Sequence, residues 1–243
     1  MGRVMGIAPN ALNRPNLTLA AEYLRAIETA GYPIETLAVL RKGDYRDPTL
    51  NAMPSAAAIR EAFSRGEDDA ARSAMPDAAR SYAVPDAAHA MDDMLMLTLR
   101  GMSLEELAEL PDMAEGLEHR LYRLCRETSS RRALLDALKC KRYTYARLSR
   151  LLTHALLGMK SRDIRASGPP DYARLLGVRV GAEPLLRELD HRSALPIVSA
   201  APELKGNPRF ELECRATDLW ALLRDDPAKR LPGREFTEKF IRL

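Results

Sequence analysis

The 243-residue sequence contains no run of about 18 apolar residues, so it offers no candidate for a membrane-spanning helix. Its opening residues, Met1-Gly2-Arg3-Val4-Met5-Gly6, lack the apolar stretch of a secretory signal. Cysteine is scarce: Cys125, Cys140 and Cys214 are odd in number, far apart and without metal-ligand spacing. That pattern argues against a disulfide framework or a zinc site and fits a reducing compartment, so a cytoplasmic location is expected. Histidine is equally thin, and no two of His89, His119, His154 and His191 stand three or four residues apart. Metal binding and paired acid–base work by histidine are therefore not expected. There is no glycine-rich phosphate loop and no nucleophile elbow, so no catalytic residue can be named from local motifs. Excess charge is small, a formal +3, and any polyanion partner must be argued from local clustering.

What is present is enough for a folded protein. Hydrophobic residues make up 46% of the chain, sufficient for one large domain or two ordinary ones, and no internal repeat is visible. Pro15-Asn16 opens a helical pattern over residues 17–30 that Gly31 closes. Residues 34–40 form a short run rich in branched side chains, the length of a buried strand, which leads into the basic loop Arg41-Lys42-Gly43-Asp44. Ser55 is placed to cap a helix over 56–63, with Gly66 beyond its end. The order helix, strand, loop, helix predicts the last part of an α/β unit whose strand ends face a ligand. Residues 67–90 turn to Ala, Asp, Ser and Pro and read as a connection with room for one short helix. Helices are then expected over 91–99, 104–110, 116–125, 131–138 and 145–157, with shorter ones over 171–176, 183–189 and 218–223 and an extended piece at 195–198. The fold class predicted is α/β followed by mainly α. Its parts are a partial Rossmann-like domain over 1–70, a connection over 71–90 and a helical domain over 91–243.

Two groups of residues could hold phosphate. A helix N-terminus carrying Ser55, followed by Arg60, offers backbone N–H groups, a favourable dipole and a guanidinium fork, with Asn16 and Arg41 as further polar candidates. Each of these is ordinary alone: Asn16 reads first as a helix cap and Arg41 as a solvated loop residue. The second group is more concentrated. Between residues 120 and 150 ten Lys or Arg stand against two acidic residues, Glu127 and Asp136. Lys141, Arg142 and Tyr143 precede Thr144, a candidate N-cap for a helix whose Leu148, Leu151, Leu152, Ala155 and Leu156 share one face. Arg147 and Arg150 share another side. A solvated cationic face is the default explanation of such a run. Tyr143 and Tyr145, interleaved with the cations, raise the alternative that aromatic and guanidinium planes stack on unpaired bases while Lys and Arg hold the backbone.

Taken together, several blocks resemble the tRNA(Met) cytidine acetate ligases, a family of nucleotidyltransferase-like proteins. Pro15 to Leu24 looks like the family's PNxxLxxEYl helix, Arg41 to Asp47 like its Arg-containing strand end and loop, and Ser55 to Arg60 like its SAxAIR helix start. Glu115 to Arg120 is similar to EGLExR, Lys141 to Thr144 with Arg147 to KRYTxxR, and Tyr172 to Gly177 to YxRxLG. The resemblance implies ATP-dependent formation of N4-acetylcytidine at the wobble position of elongator tRNA(Met), with acetate first adenylated. ATP is then a substrate, Mg a candidate companion ion, and Asn16, Arg41, Ser55 and Arg60 are the expected ATP-side contacts. Lys141, Arg142, Tyr143, Arg147 and Arg150 are the expected tRNA contacts. The sequence also departs from the family pattern: it has no His-x-Gly-His motif, Ala57 stands where Ser or Thr is common, and Arg46 where the loop usually has His. The first matching block, at Pro15, lies beyond the family's His-x-Gly-His region. This leads to the expectation that a front part is missing from the chain, with a separate polypeptide as one source of it. A non-catalytic RNA-binding remnant or subunit is the alternative reading, and a helical scaffold with merely solubilising cations is a third.

Overall fold

The computed structural model describes residues 15–39, 47–80, 87–114, 116–238 and 240–242. The chain divides into two compact units, residues 1–47 and 48–243. In the first, helix α1 runs Pro15–Ala30 and ends at Gly31, whose positive φ of 66° suits a left-handed stop. Asn16 lies inside the first turn of α1 and not at its cap, which corrects the capping expectation: Pro15, with its fixed φ and missing N–H, already occupies the helix. The expected strand over 34–40 is not formed among the described residues of that run, 34–39, which are irregular and exposed. A strand needs a neighbour to satisfy its ladder, and no described residue pairs with this run.

The second unit is helical around a leucine core. Helices α2 (Ala56–Ser64), α3 (Asp68–Ser73) and α4 (Asp77–Arg80) come first, with Ala58, Ala62 and Ala71 fully buried where α2 meets α3. The core helices follow: α5 (Ala87–Gly101), α6 (Leu104–Ala108), α7 (Leu117–Glu127), α8 (Arg131–Leu138) and α9 (Tyr145–Leu156). α5 packs on α7, α8 and α9, and α6 on α7. Leu95, Leu99, Leu107, Leu121, Leu134 and Leu151 meet in the middle with no exposure, each worth about 2 kcal/mol of apolar burial. The starts of these helices are chemically marked. Ser103 and Glu106 form a reciprocal capping box, Ser130 accepts from the Ala133 N–H, and Thr144 accepts from the Arg147 N–H. These five helices fall where the hydrophobic spacing placed them.

Beyond α10 (Ser161–Ala166) the chain builds a smaller mixed region. Strand β1 (Ala173–Arg174) pairs in parallel with β3 (Ile197–Val198), and β2 (Gly177–Val178) in parallel with β4 (Ile241–Arg242). Helix α11 (Glu183–Arg192) lies between β2 and β3 in sequence. A helix over 171–176 is thus corrected: the 173–174 pair is recruited into a strand by its partner 197–198, where the extended reading of 195–198 holds. Helix α12 (Pro208–Ala221), capped by Asn207, begins well before the expected 218. Its Phe210 is fully buried and meets Phe236 of α13 (Arg234–Thr237) edge to face at 5.5 Å. Gly177 is required by packing, since a Cβ there would stand 2.9 Å from the Ile241 carbonyl oxygen. No described helix is long and apolar enough to cross a membrane.

Candidate functional site

The basic segment folds into a turn followed by α9. The Tyr143 N–H donates to the Cys140 carbonyl at 3.3 Å, and the two residues form an antiparallel bridge that puts Lys141 and Arg142 at an exposed tip. Lys139 is exposed but bonded back onto the turn. Its ammonium donates to the Cys140 and Tyr143 carbonyls, both at 3.1 Å, and so braces the turn. Tyr143 is buried in the leucine core, and the Arg147 guanidinium lies over its ring at 5.2 Å from the centroid. Tyr145 is exposed, and its phenol donates to Asp136. That bond, with a second from Arg132, holds the Asp136 carboxyl below the usual carboxylate range.

Arg147 and Arg150 converge on one residue. The Nε and Nη2 of Arg147 donate to the Asp112 carbonyl at 3.1 and 2.8 Å, while Nε of Arg150 meets the Asp112 carboxylate at 3.1 Å. Asp112 has φ +65°, the one positive value at a non-glycine among the described residues. Ala114, Arg142, Tyr143 and Arg147 line a shallow cavity of about 400 Å³ beside this cluster. No ion pair reaches Arg142 or Arg147 among the described residues, so both keep their charge at the cavity wall. Much of the remaining basic segment latches helices together. Arg120 donates to the Ala137 carbonyl at 2.6 Å, Arg126 to the Tyr122 and Arg100 carbonyls at 2.7 and 3.1 Å, and Arg131 to the Ser149 hydroxyl at 2.6 Å. Carbonyl and hydroxyl partners orient a guanidinium without neutralising it. Carboxylates neutralise Arg123 (Glu127), Arg132 (Asp136) and Arg150 (Asp112).

On the nucleotide side, Ser55 is the N-cap of α2: its Oγ accepts from the Ala58 N–H at 3.1 Å, with φ −72° and ψ 152°. Arg60 stands exposed one turn further on. Ser55 and Arg60 therefore share one helix start in the second unit. Asn16 is exposed on α1 in the first unit, and Arg41 lies outside the described residues. Among the described residues no three His, Cys, Asp or Glu groups are placed to hold a metal ion.

Two organising residues were not singled out by sequence reasoning. Asp112 carried only a turn signal, following Pro111. Arg174, inside the YxRxLG block, joins the mixed region: it pairs with Glu213 at 3.3 Å and Glu235 at 2.5 Å and lies over Phe210 at 5.2 Å. The Tyr172 phenol donates to Glu213 at 2.5 Å. That block is a structural joint between β1, α12 and α13.

The described residues thus offer a leucine-cored helical unit with a cationic, tyrosine-backed cavity and, separately, a capped helix start carrying an arginine. The chain belongs to the HIGH nucleotidyl transferase family, whose family model matches residues 4–234. Its curated relatives carry the name tRNA(Met) cytidine acetate ligase. The protein of Bacillus velezensis is 31% identical over 249 residues, covering 95% of this chain and 60% of the relative. That of Syntrophomonas wolfei is 29% identical over 245 residues, covering 92% and 59%. Among solved structures, apo Thermotoga maritima TmcAL superposes with a TM-score of 0.84 at 22% identity, covering 100% of this chain and 64% of that one. The same protein bound with alpha-thio ATP gives 0.82. At this identity the likeness establishes the fold, and the expected class of α/β followed by mainly helical structure is borne out. The resemblance read from the motif blocks is borne out with it. The chain spans about 60% of the length of the curated relatives it matches.

Proposed function

We propose that this chain forms the RNA-holding part, and a portion of the nucleotide-holding part, of a tRNA(Met) cytidine acetate ligase. In that reaction an acetate oxygen attacks the α-phosphorus of ATP and pyrophosphate leaves. The cytidine N4 then attacks the acetyl carbonyl, AMP departs and N4 loses a proton. The protein's share is positioning and charge stabilisation at the α-phosphate. Residues 1–70 are assigned to nucleotide binding, 71–90 to a connection and 91–243 to RNA. Asn16, Arg41, Ser55 and Arg60 are the ATP-side residues, with Mg as companion ion. Lys141, Arg142, Tyr143, Arg147 and Arg150 form the RNA side, at which Arg142 and Arg147 present unneutralised charge. The observation that carries this reading is the family match across residues 4–234, together with relatives of one name. A cytoplasmic setting goes with it.

The second reading, a non-catalytic RNA-binding chain, is favoured by one observation: ten Lys or Arg are concentrated within residues 120–150, a feature that serves RNA holding and requires no acyl transfer. One experiment separates the two. Radiolabelled acetate, ATP, Mg and an elongator tRNA(Met) transcript are incubated with the chain alone, and its tRNA affinity is measured in parallel by gel shift. Label in the tRNA supports the full reaction. Binding without label supports the second reading, and the absence of both removes the RNA assignment altogether.

A further inference from the structure

We propose that Asp112 is the positioning residue of the RNA site, and that the cavity of Ala114, Arg142, Tyr143 and Arg147 takes a backbone phosphate of the RNA. The proposal rests on the RNA reading above and divides the arginines into two kinds. Arg147 is held by a backbone carbonyl: both of its donated bonds end on the Asp112 oxygen, and its flat face lies on the buried Tyr143 ring. Its direction is fixed and its charge is intact, the condition for a guanidinium to meet phosphate without paying ordering entropy at the moment of binding. Arg142, at the exposed tip of the Cys140–Tyr143 turn, faces the same cavity with no carboxylate partner among the described residues. Arg150 differs, because its charge is answered by the Asp112 carboxylate at 3.1 Å. Arg142 and Arg147 are thus the phosphate pair, and Arg150 is a tether that secures Asp112.

The backbone of Asp112 is what makes this arrangement work. At φ +65° its carbonyl is directed to the Arg147 fork, and that conformation is one that Gly, Asn and Asp adopt far more readily than Ala. Its side chain and its backbone therefore do separate jobs, and substitutions can separate them. Asp112→Gly and Asp112→Ala both remove the carboxylate and free Arg150. Only the alanine also opposes the left-handed backbone that presents the carbonyl to Arg147.

The test measures tRNA affinity across a salt series for the intact chain and for Arg142→Ala, Asp112→Gly and Asp112→Ala, with melting temperature recorded for each. Losing one phosphate contact lowers the slope of log affinity against log salt by about 0.7–0.9. Arg142→Ala is expected to lose that much. Asp112→Ala is expected to lose a similar slope and roughly tenfold in affinity, a loss in the range of one charge-assisted hydrogen bond. Asp112→Gly should stay within about twofold of the parent with its slope unchanged. A merely structural Asp112 would move melting temperature but not slope. Equal affinities and slopes for the Gly and Ala variants overturn the positioning role even if Arg142→Ala behaves as expected. If Arg142→Ala leaves the slope unchanged, the phosphate assignment of the cavity falls; if the intact chain shows no salt-dependent tRNA binding, the RNA reading itself falls and the proposal falls with it.

Discussion

At the scale of single residues, the legible part was local chemistry. Ser55 and Thr144 were readable as caps because an N-cap serves an N–H only a few positions away, and both serve the expected one. Asp112 and Arg174 were not readable, because their partners lie 35 to 61 positions away or belong to helices whose packing the sequence does not spell out. Tyr172 shows what such distant pairing does to a titratable group. Burial first, then the hydrogen bond to Glu213, raise its phenol from the ordinary 10 to about 12. The sign follows from linkage: a folded-state value above the unfolded one favours the protonated form in the fold. The stabilisation is fully present below pH 10 and is lost as pH rises through 12. Tyr172 is partly exposed, so the effect is on the order of 1 kcal/mol and not the full value of the shift. Urea midpoints measured at intervals between pH 9 and roughly pH 12 should fall more steeply for the parent than for Tyr172→Phe, which has no proton to lose. Parallel curves for the two proteins would remove this account of the Tyr172–Glu213 bond.

At the scale of elements, legibility tracked amphipathic period. α8 and α9 are short, strongly two-faced and capped, and their bounds match the expected ones to within a residue. α12 is 14 residues long but weakly two-faced, so its first half gave no periodic signal, although Asn207-Pro208 was a start signal that reading for caps alone would have found. β1 fails for a different reason: two residues carry no period, and their state is decided by a partner strand rather than by propensity. The caps matter energetically as well as for reading. Thr144 fixes the first turn of α9, the same turn from which Arg147 departs. Thr144→Ala should lower stability by about 1 kcal/mol, whereas Thr144→Ser should cost little. Because the Thr144 bond ends on the Arg147 N–H, the alanine variant should also weaken tRNA binding more than a similarly destabilising Ser130→Ala, which removes the cap of α8. Equal affinities for those two variants at matched stability would show that the cap serves the helix alone.

At the scale of the whole molecule, the leucine-cored unit and the first unit behave differently. Residues 95–155 bury a contiguous leucine core, but no described residue of 16–39 is buried. The run that looked like a buried strand in sequence carries Leu37 at 90% and Val39 at 83% exposure. Its pattern was legible, but its environment was not, because a strand's burial is conferred by neighbours that the run itself does not encode. An exposed stretch of branched residues that pairs with no described strand is a template for pairing with another chain. The 243-residue chain on its own should therefore self-associate at micromolar concentration, read as a concentration-dependent mass by light scattering. Leu37→Lys with Val39→Lys places charge on the exposed run, and should shift the population toward monomer while leaving the melting of the leucine-cored unit unchanged. A parent chain that is monodisperse and monomeric across that range would mean that the run is not sticky as it stands. The exposed leucine and valine would then be ordinary surface residues.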